Sequence, residues 1–380
     1  MKVCLVGHSA AGFGDGHVGG SERQSALLAR ELAAHGHDVV YVVTGLAGGD
    51  RTVAGVRLRA AWDPDAGVRF VRAATHRYPR LLSLLRDEAA DTYYSRGAGY
   101  HTPFVVRAAR DVGATSVLAL ASDKDLYAVS GKVLFGVRSP RLSALIGPLA
   151  HAGFRRWGLR AADWVVVQNE EQAAACAALG LRHAVLPNIV EPPAGELAAT
   201  APTRDVIWAG NVLDGRRSKG LGELVALAGL LPAVSFTVVG TIRGESSRAA
   251  LQALEGLPNV ELAGSLSHGQ TQRRMAAHRL VINTSPSEGF SNVMLEGWSL
   301  GRPSVTLAVN PSGLLTGDEL GVCAGGDIGA MAAAIVALLQ EPVARAAMGA
   351  RCRAYVARVH SGAGVVEAFE RLASQERPGH

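Results

Sequence analysis

The stretch EGFSNVMLEGWSLGRPSV, residues 288–305, decides how the rest of the chain is read. It reads as a loop, a short helix and the start of a strand. Ser291 or Asn292 stands where a cap belongs, and Val293, Met294, Leu295 and Trp298 give the helix an apolar face. Gly301 suits a left-handed stop, and Pro303 ends any continuation. Val281, Ile282 and Asn283, just before, predict a buried strand. A strand, a tight loop and a helix start is where α/β proteins hold anions. The N–H groups of Phe290, Ser291 and Asn292 are therefore expected to face a phosphate. Seven residues separate Glu288, in the loop, from Glu296, about one turn inside the helix. Carboxylates beside an anion site avoid the anion itself, so hydroxyl groups are their natural partners. A diphosphate joined to two sugars offers both. An ordinary surface-to-core helix with two solvated carboxylates reads the same way, so the surroundings must decide.

With Gly289-Phe290 after the first glutamate and Gly301-Arg302-Pro303 after the helix, the stretch resembles the retaining glycosyltransferases of family 4. The resemblance implies the GT-B fold: two Rossmann-like parallel-sheet α/β domains facing each other across a donor/acceptor cleft. It implies a nucleoside diphosphate sugar as donor, with UDP or GDP as the expected nucleotide. It implies no metal ion and no further cofactor, since Lys/Arg side chains and helix N–H groups would neutralise the diphosphate. Glu288 is then expected at the donor sugar and Glu296 at the ribose.

The 380 residues suit two domains, and 48% hydrophobic content can build two full cores. Aromatic residues make up only 5%, which argues against a stacking platform for single-stranded nucleic acid. Cys4, Cys176, Cys323 and Cys352 are scattered, so neither zinc nor a disulfide framework is expected, in keeping with a reducing cytoplasm. The opening apolar run, Val3 to Val6, is too short for a signal peptide. The net charge of +5 is unevenly placed. Lys132, Arg138, Arg141, Arg155, Arg156 and Arg160 fall in a span without Asp or Glu, interleaved with Leu134, Phe135, Leu142, Phe154 and Trp157. Residues 132–160 therefore suggest peripheral contact with an anionic membrane, with a solvated helix face as the plainer reading.

Along the chain, KVCLVG (2–7) predicts a buried strand, and a helix over 21–35 stopped by Gly36 leads to a second strand. Gly19-Gly20 stands where the family carries its glycine loop, allowing close backbone approach to the donor. Strands are expected near 55–60, 91–95 and 115–121, and helices near 76–89 and 102–111. Arg96, His101, Ser122 and Asp123 fall beyond strand ends and form the candidate acceptor side. Family members often carry a His where Ser122 stands, so Asp123 is the first-domain catalytic candidate, with Asp125 or His101 also able to fill the space. Asn169 caps a helix in the 161–181 unit, and Pro187-Asn188 precedes the domain crossing.

The Pro- and Ala-rich segment 191–203 reads as a linker, giving domains 1–190 and 204–360 and a final helix, 361–380, returning to the first. In the second domain, Lys219-Gly220 matches the family's Lys-Gly, a cation for the diphosphate. Asn211 occupies the usual arginine position, and Arg216 or Arg217 is the expected substitute. Gly264 and Leu266, flanking Ser265, fall where the family recognises the base, largely through backbone. Ser267 and Gln270 form a capping box, and Asp327 caps a helix over 328–340.

The leading expectation is a metal-independent retaining glycosyltransferase acting on a glycan, lipid-linked or small-molecule acceptor, cytoplasmic or peripheral at the inner membrane face, with Glu288, Asp123 and Lys219 as catalytic residues. A catalytically silent sugar-nucleotide-binding or scaffold protein on the same fold is the alternative. A nicotinamide-dependent oxidoreductase is disfavoured, because Gly12, Gly14 and Gly16 lie too far from a helix start and Thr44 stands where an acidic residue would be needed.

Overall fold

Runs of Val, Leu, Ile and Tyr that are apolar at every position, rather than alternately, predict strands covered on both faces. The computed structural model describes residues 1–14, 19–44, 46, 49–63, 65–68, 71–126, 153–198, 200–213 and 219–375, and these runs form two sheets within it. The first sheet comprises β1 (Lys2–Gly7), β2 (Asp38–Val43), β3 (Arg51–Val53), β4 (Val56–Ala60), β5 (Thr92–Arg96), β6 (Thr115–Ala119), β7 (Trp164–Val167) and β8 (His183–Val185). Its order is β3-β4-β2-β1-β5-β6-β7-β8. All neighbours are parallel except β3 and β4, a hairpin that the sequence reading did not separate from the 55–60 strand.

The second sheet comprises β9 (Arg204–Ala209), β10 (Phe236–Val239), β11 (Val260–Gly264), β12 (His278–Asn283), β13 (Ser304–Thr306) and β14 (Gly321–Cys323), in the order β11-β10-β9-β12-β13-β14 and parallel throughout. Each sheet has a point where the strand order reverses. In the first it lies at β1, between β2 and β5; in the second at β9, between β10 and β12. Open α/β sheets bind ligands just beyond the carboxyl ends of the strands at such points.

The chain divides into two units, Met1–Ile189 with Gly362–His380, and Val190–Ser361. The Gly362–Ala373 helix belongs to the first unit because its apolar stripe, Val365, Val366, Phe369 and Leu372, is buried against the Gly20–Ala34 helix and β5. Phe369 meets Tyr94 edge to face at 6.1 Å. Burying each such side chain contributes about 1.5–3 kcal/mol, and the four together hold the returning helix on this unit. The 191–203 segment, expected as a linker, lies on the second unit. It carries the short helix Gly195–Ala198, Leu197 packs against that unit's core, and Arg302 donates to the Thr200 carbonyl at 2.6 Å.

Caps follow the residue types. Asn169 accepts from Gln172 N at 2.8 Å, Ser267 and Gln270 form the capping box, and Asp327 accepts from the N–H groups of Gly329 and Ala330. Among the described residues no single helix is long and apolar enough to cross a membrane.

Candidate functional site

At the second sheet's reversal point the loops after β9 and β12 meet. Thr284, fully buried just past β12, links them. Its hydroxyl accepts from the Trp208 indole at 3.0 Å and donates to the Lys219 carbonyl at 3.1 Å. Lys219 and Gly220 both have left-handed backbone, with φ of 49° and 70°. A Cβ on Gly220 would sit 1.9 Å from the Thr284 carbonyl oxygen, so only glycine permits this approach. Lys219 has no such freedom and adopts a conformation that side chains avoid, as residues held for function often do.

The result is an ion pair. Lys219 Nζ donates to Glu288 Oε1 at 3.0 Å, and Ser285 Oγ donates to the same oxygen at 2.7 Å. Glu288 is 17% exposed and Lys219 36%. Burial alone would raise the Glu288 carboxyl. The Lys219 ammonium and the hydroxyls of Ser285 and Ser291 outweigh it, holding the group below its ordinary value. Ser291 occupies the N-cap of the Asn292–Ser299 helix without a capping hydrogen bond, contrary to the expectation that Ser291 or Asn292 caps it; its hydroxyl serves Glu288 instead. Gly301, at φ 70°, ends the helix as predicted. Phe290, buried between Trp298 and His360, anchors the loop.

Glu296 stands one turn into the helix, its carboxylate 3.7 Å from His268 Nδ1. His268 opens the His268–Ala276 helix, two residues after Leu266, and so joins the expected base-binding turn to the expected ribose carboxylate. Gly264 is left-handed at φ 67°, and Ser265 Oγ lies 2.9 Å from Thr241 Oγ1. Asn211 Oδ1 accepts from Thr241 N at 2.9 Å, so the residue at the usual arginine position ties two loops together. Arg216 and Arg217 lie outside the described residues.

In the first unit, Gly19 caps the Gly20–Ala34 helix, and a Cβ there would meet the Glu22 carboxylate at 2.3 Å. Arg96 donates to Asn188 Oδ1 at 2.6 Å, across the carboxyl edge of the sheet. Asp125 is committed to the backbone: it accepts from the N–H groups of Ala98, Ala121 and Ser122. Asp123 is half-buried and accepts from Gln172 Nε2 at 2.9 Å. Asp-x-Asp spacings do occur, at Asp63 and Asp65 and at Asp123 and Asp125, which the expectation of no metal passed over. Among the described residues no three side chains of metal-ligating type gather.

His101 is 1% exposed, with neither ring nitrogen hydrogen-bonded, and burial, then the neighbouring His8, push its pKa down to about 3. It lies behind His8, which the sequence reading missed: a single His in a glycine-rich loop carries no periodic signal. Ser285 and Thr284 were missed too, although the polar run after β12 was there to be read.

Of the basic 132–160 stretch, residues up to 152 lie outside the described ones. Residues 153–161 are helical, with Phe154 58% and Trp157 42% exposed, and Arg110, Arg156 and Arg160 line an open groove beside Trp157.

Two family models match the chain: a glycosyl transferase 4-like domain over residues 19–188 and glycosyl transferases group 1 over residues 203–341. No curated protein matches it. Among solved structures it is similar to sucrose-phosphate synthase from Thermosynechococcus elongatus, at 17% identity and TM-score 0.73 over 98% of both chains. It is similar to Anabaena HepE in complex with UDP-glucose, at 16% identity and TM-score 0.69 over 99% of this chain and 100% of the other. WaaG, a glycosyltransferase involved in lipopolysaccharide biosynthesis, aligns at 16% identity and TM-score 0.70 over 98% of this chain and all of its own. At these identities the likeness speaks for the fold.

Proposed function

Since the chain belongs to the glycosyl transferases of GT-B fold, with family models matching residues 19–188 and 203–341, we propose that it moves a sugar from a nucleoside diphosphate sugar to an acceptor hydroxyl, with retention of configuration and without a metal ion. The observation that carries the reading is the convergence of Lys219 and Glu288 at the start of the Asn292–Ser299 helix, at the reversal point of the second sheet. Lys219 and the positive end of the helix dipole supply charge opposite the diphosphate. Glu296 takes the ribose hydroxyls. Glu288 orients the donor sugar and stabilises positive charge at its anomeric carbon. The bond from that carbon to the diphosphate breaks, and the acceptor oxygen bonds the same face. The departing diphosphate takes the acceptor proton. Asp123, on the first unit, is assigned to the acceptor side.

UDP is the first nucleotide to test, because HepE, a neighbour in fold, was solved with UDP and with UDP-glucose. The acceptor is a glycan, lipid-linked or small-molecule hydroxyl. Exposed Phe154 and Trp157 beside Arg156 and Arg160 support peripheral contact with an anionic membrane, which co-sedimentation with phosphatidylglycerol vesicles tests. Ser122 in place of a His favours, as a second reading, a catalytically silent nucleotide-sugar binder. The deciding experiment screens UDP-, GDP- and ADP-sugars and NAD(P)H for binding, then follows donor consumption. Binding without turnover selects the silent reading, and binding of NAD(P)H alone overturns both.

A further inference from the structure

The first sheet reverses its order at β1, and the loops after β1, β2 and β5 come together there. These loops carry His8, Thr44, Tyr100 and His101, and Tyr78 and Phe104 adjoin them. In a chain only 5% aromatic, the rings form a continuous row. Tyr78 stacks on Phe104 with centroids 4.7 Å apart and lies 6.0 Å from Tyr100; Tyr100 lies 5.1 Å from His8, and His8 meets His101 edge to face at 4.7 Å. His8 is exposed, Tyr78, Tyr100 and Phe104 are half-buried, and His101 is buried.

The hydrogen bonds assign the imidazole. The Tyr100 hydroxyl donates to Thr44 Oγ1 at 3.2 Å and lies 3.3 Å from His8 Nδ1. A phenol has one proton, so with that proton on Thr44 the His8 Nδ1–H donates to the Tyr100 oxygen. Nε2 of His8 then keeps its lone pair as an acceptor. Although the side chain is exposed at its rim, desolvation where its ring packs on Tyr100 and His101 lowers the His8 pKa against an opposing pull from Glu22, which favours the neutral ring. His101 behind it has no hydrogen-bond partner among the described residues. A neutral imidazole always carries one N–H, and leaving it unpaired in the interior costs about 1–3 kcal/mol. That unpaired donor lies directly behind an exposed imidazole at the sheet's reversal point, where open α/β sheets hold ligands. Gly99 closes the back of the pair: a Cβ on it would meet the His101 ring at 2.8 Å.

We propose that this row is an acceptor subsite for a hydroxylated ring, a pyranose, which stacks its C–H face on Tyr100 and gives a hydroxyl proton to His8 Nε2 in a hydrogen bond. Rings tipped with polar atoms suit a sugar better than an acyl chain, since each face is apolar and each edge can take a hydroxyl. The assignment rests on the transferase reading and narrows its acceptor to one whose receiving end is carbohydrate.

The test is saturation-transfer NMR on the full chain, irradiating the aromatic protons. Methyl and 4-nitrophenyl glucosides and galactosides are the probes, with an alkyl glycerol ether as control, and calorimetry with UDP is a separate arm. The expected result is transfer to at least one pyranoside series and none to the ether. His8→Ala and Tyr100→Leu each raise the half-saturating pyranoside concentration about 5- to 10-fold with UDP affinity unchanged, and Tyr100→Phe stays within about 3-fold because the ring face remains. Should Tyr100→Leu not fold, exposed His8→Ala and the ring-preserving Tyr100→Phe decide. The proposal is overturned if UDP binds but no pyranoside does, if the ether is preferred, or if His8→Ala leaves pyranoside binding unchanged. Loss of UDP binding in the wild type would instead count against the transferase reading, leaving the pyranoside result to stand by itself.

Discussion

Glu288→Gln separates sugar chemistry from nucleotide binding. The carboxylate lies 3.0 Å from the Lys219 ammonium and 2.7 Å from Ser285 Oγ. Glutamine keeps the shape and can still accept from Ser285, but it removes the charge. Two unit charges at that spacing attract by about 5–6 kcal/mol at an effective dielectric constant of about 20. Desolvation takes back much of this, and because Lys219 is 36% exposed, solvent screening reduces it further. About 1–2 kcal/mol remains for the pair. In the variant that attraction no longer holds Lys219 away from a phosphate, so UDP affinity stays level or rises by up to about 10-fold. Turnover falls instead, because no negative charge faces the anomeric carbon as positive charge develops there. A loss on the order of 100-fold corresponds to about 2.7 kcal/mol of transition-state stabilisation. Calorimetry gives the UDP affinity and donor consumption gives the rate. If both fall in parallel, Glu288 belongs to the nucleotide site; if turnover is undiminished, it belongs to neither.

Three more outcomes follow from the same loops. Gly220→Ala places a Cβ 1.9 Å from the Thr284 carbonyl in left-handed backbone, and should lower stability in urea unfolding by about 2–4 kcal/mol; a wild-type midpoint would contradict that close approach. Glu296→Ala should weaken UDP and donor sugar alike by roughly 1–3 kcal/mol without lowering the melting temperature, and unchanged calorimetric affinity would move the ribose elsewhere. Glu288 is held below its usual 4.5 in the folded chain, so its stabilising contribution is present above that pH and is lost as pH falls through the folded pKa. Glu288→Gln should therefore flatten the acid limb of stability against pH below about 4.5, and an unchanged slope would show that other carboxylates set it.

The parts of this molecule legible in its sequence are those that repeat a local rule. Capping residues Asn169, Ser267 and Asp327 act within three residues of themselves, and uninterrupted apolar runs made the central strands readable. The 191–203 segment misled because its Pro and Ala content describes a flexible chain, while its placement turns on Leu197 and on the Arg302 guanidinium reaching Thr200 from about a hundred residues away. Ser291 misled for a related reason. A serine at an N-cap is a local expectation, but a carboxylate three residues upstream, itself held by Lys219, offers its hydroxyl a charged partner, and charge-assisted bonds are the stronger ones.

Lys219 and His8 show where local reading stops. Lys219-Gly220 was readable as a motif, but the reason position 220 must lack a Cβ is the Thr284 carbonyl, and that becomes a neighbour only because β9 and β12 pair. His8 had no motif at all. It becomes a candidate once β1 is seen to be flanked by β2 on one side and β5 on the other, which brings Thr44 and Tyr100 to the same edge. In both sheets the strand that reverses the order sends its loop between two others, at the edge where open α/β sheets hold ligands. The charged pair at the second reversal point suits a diphosphate sugar, and the neutral ring row at the first suits an uncharged hydroxyl acceptor. Exchanging those polarities, for instance with His8→Glu, should therefore weaken acceptor binding while leaving UDP affinity alone; a matched loss of both would mean that the two loops do not serve separate ligands.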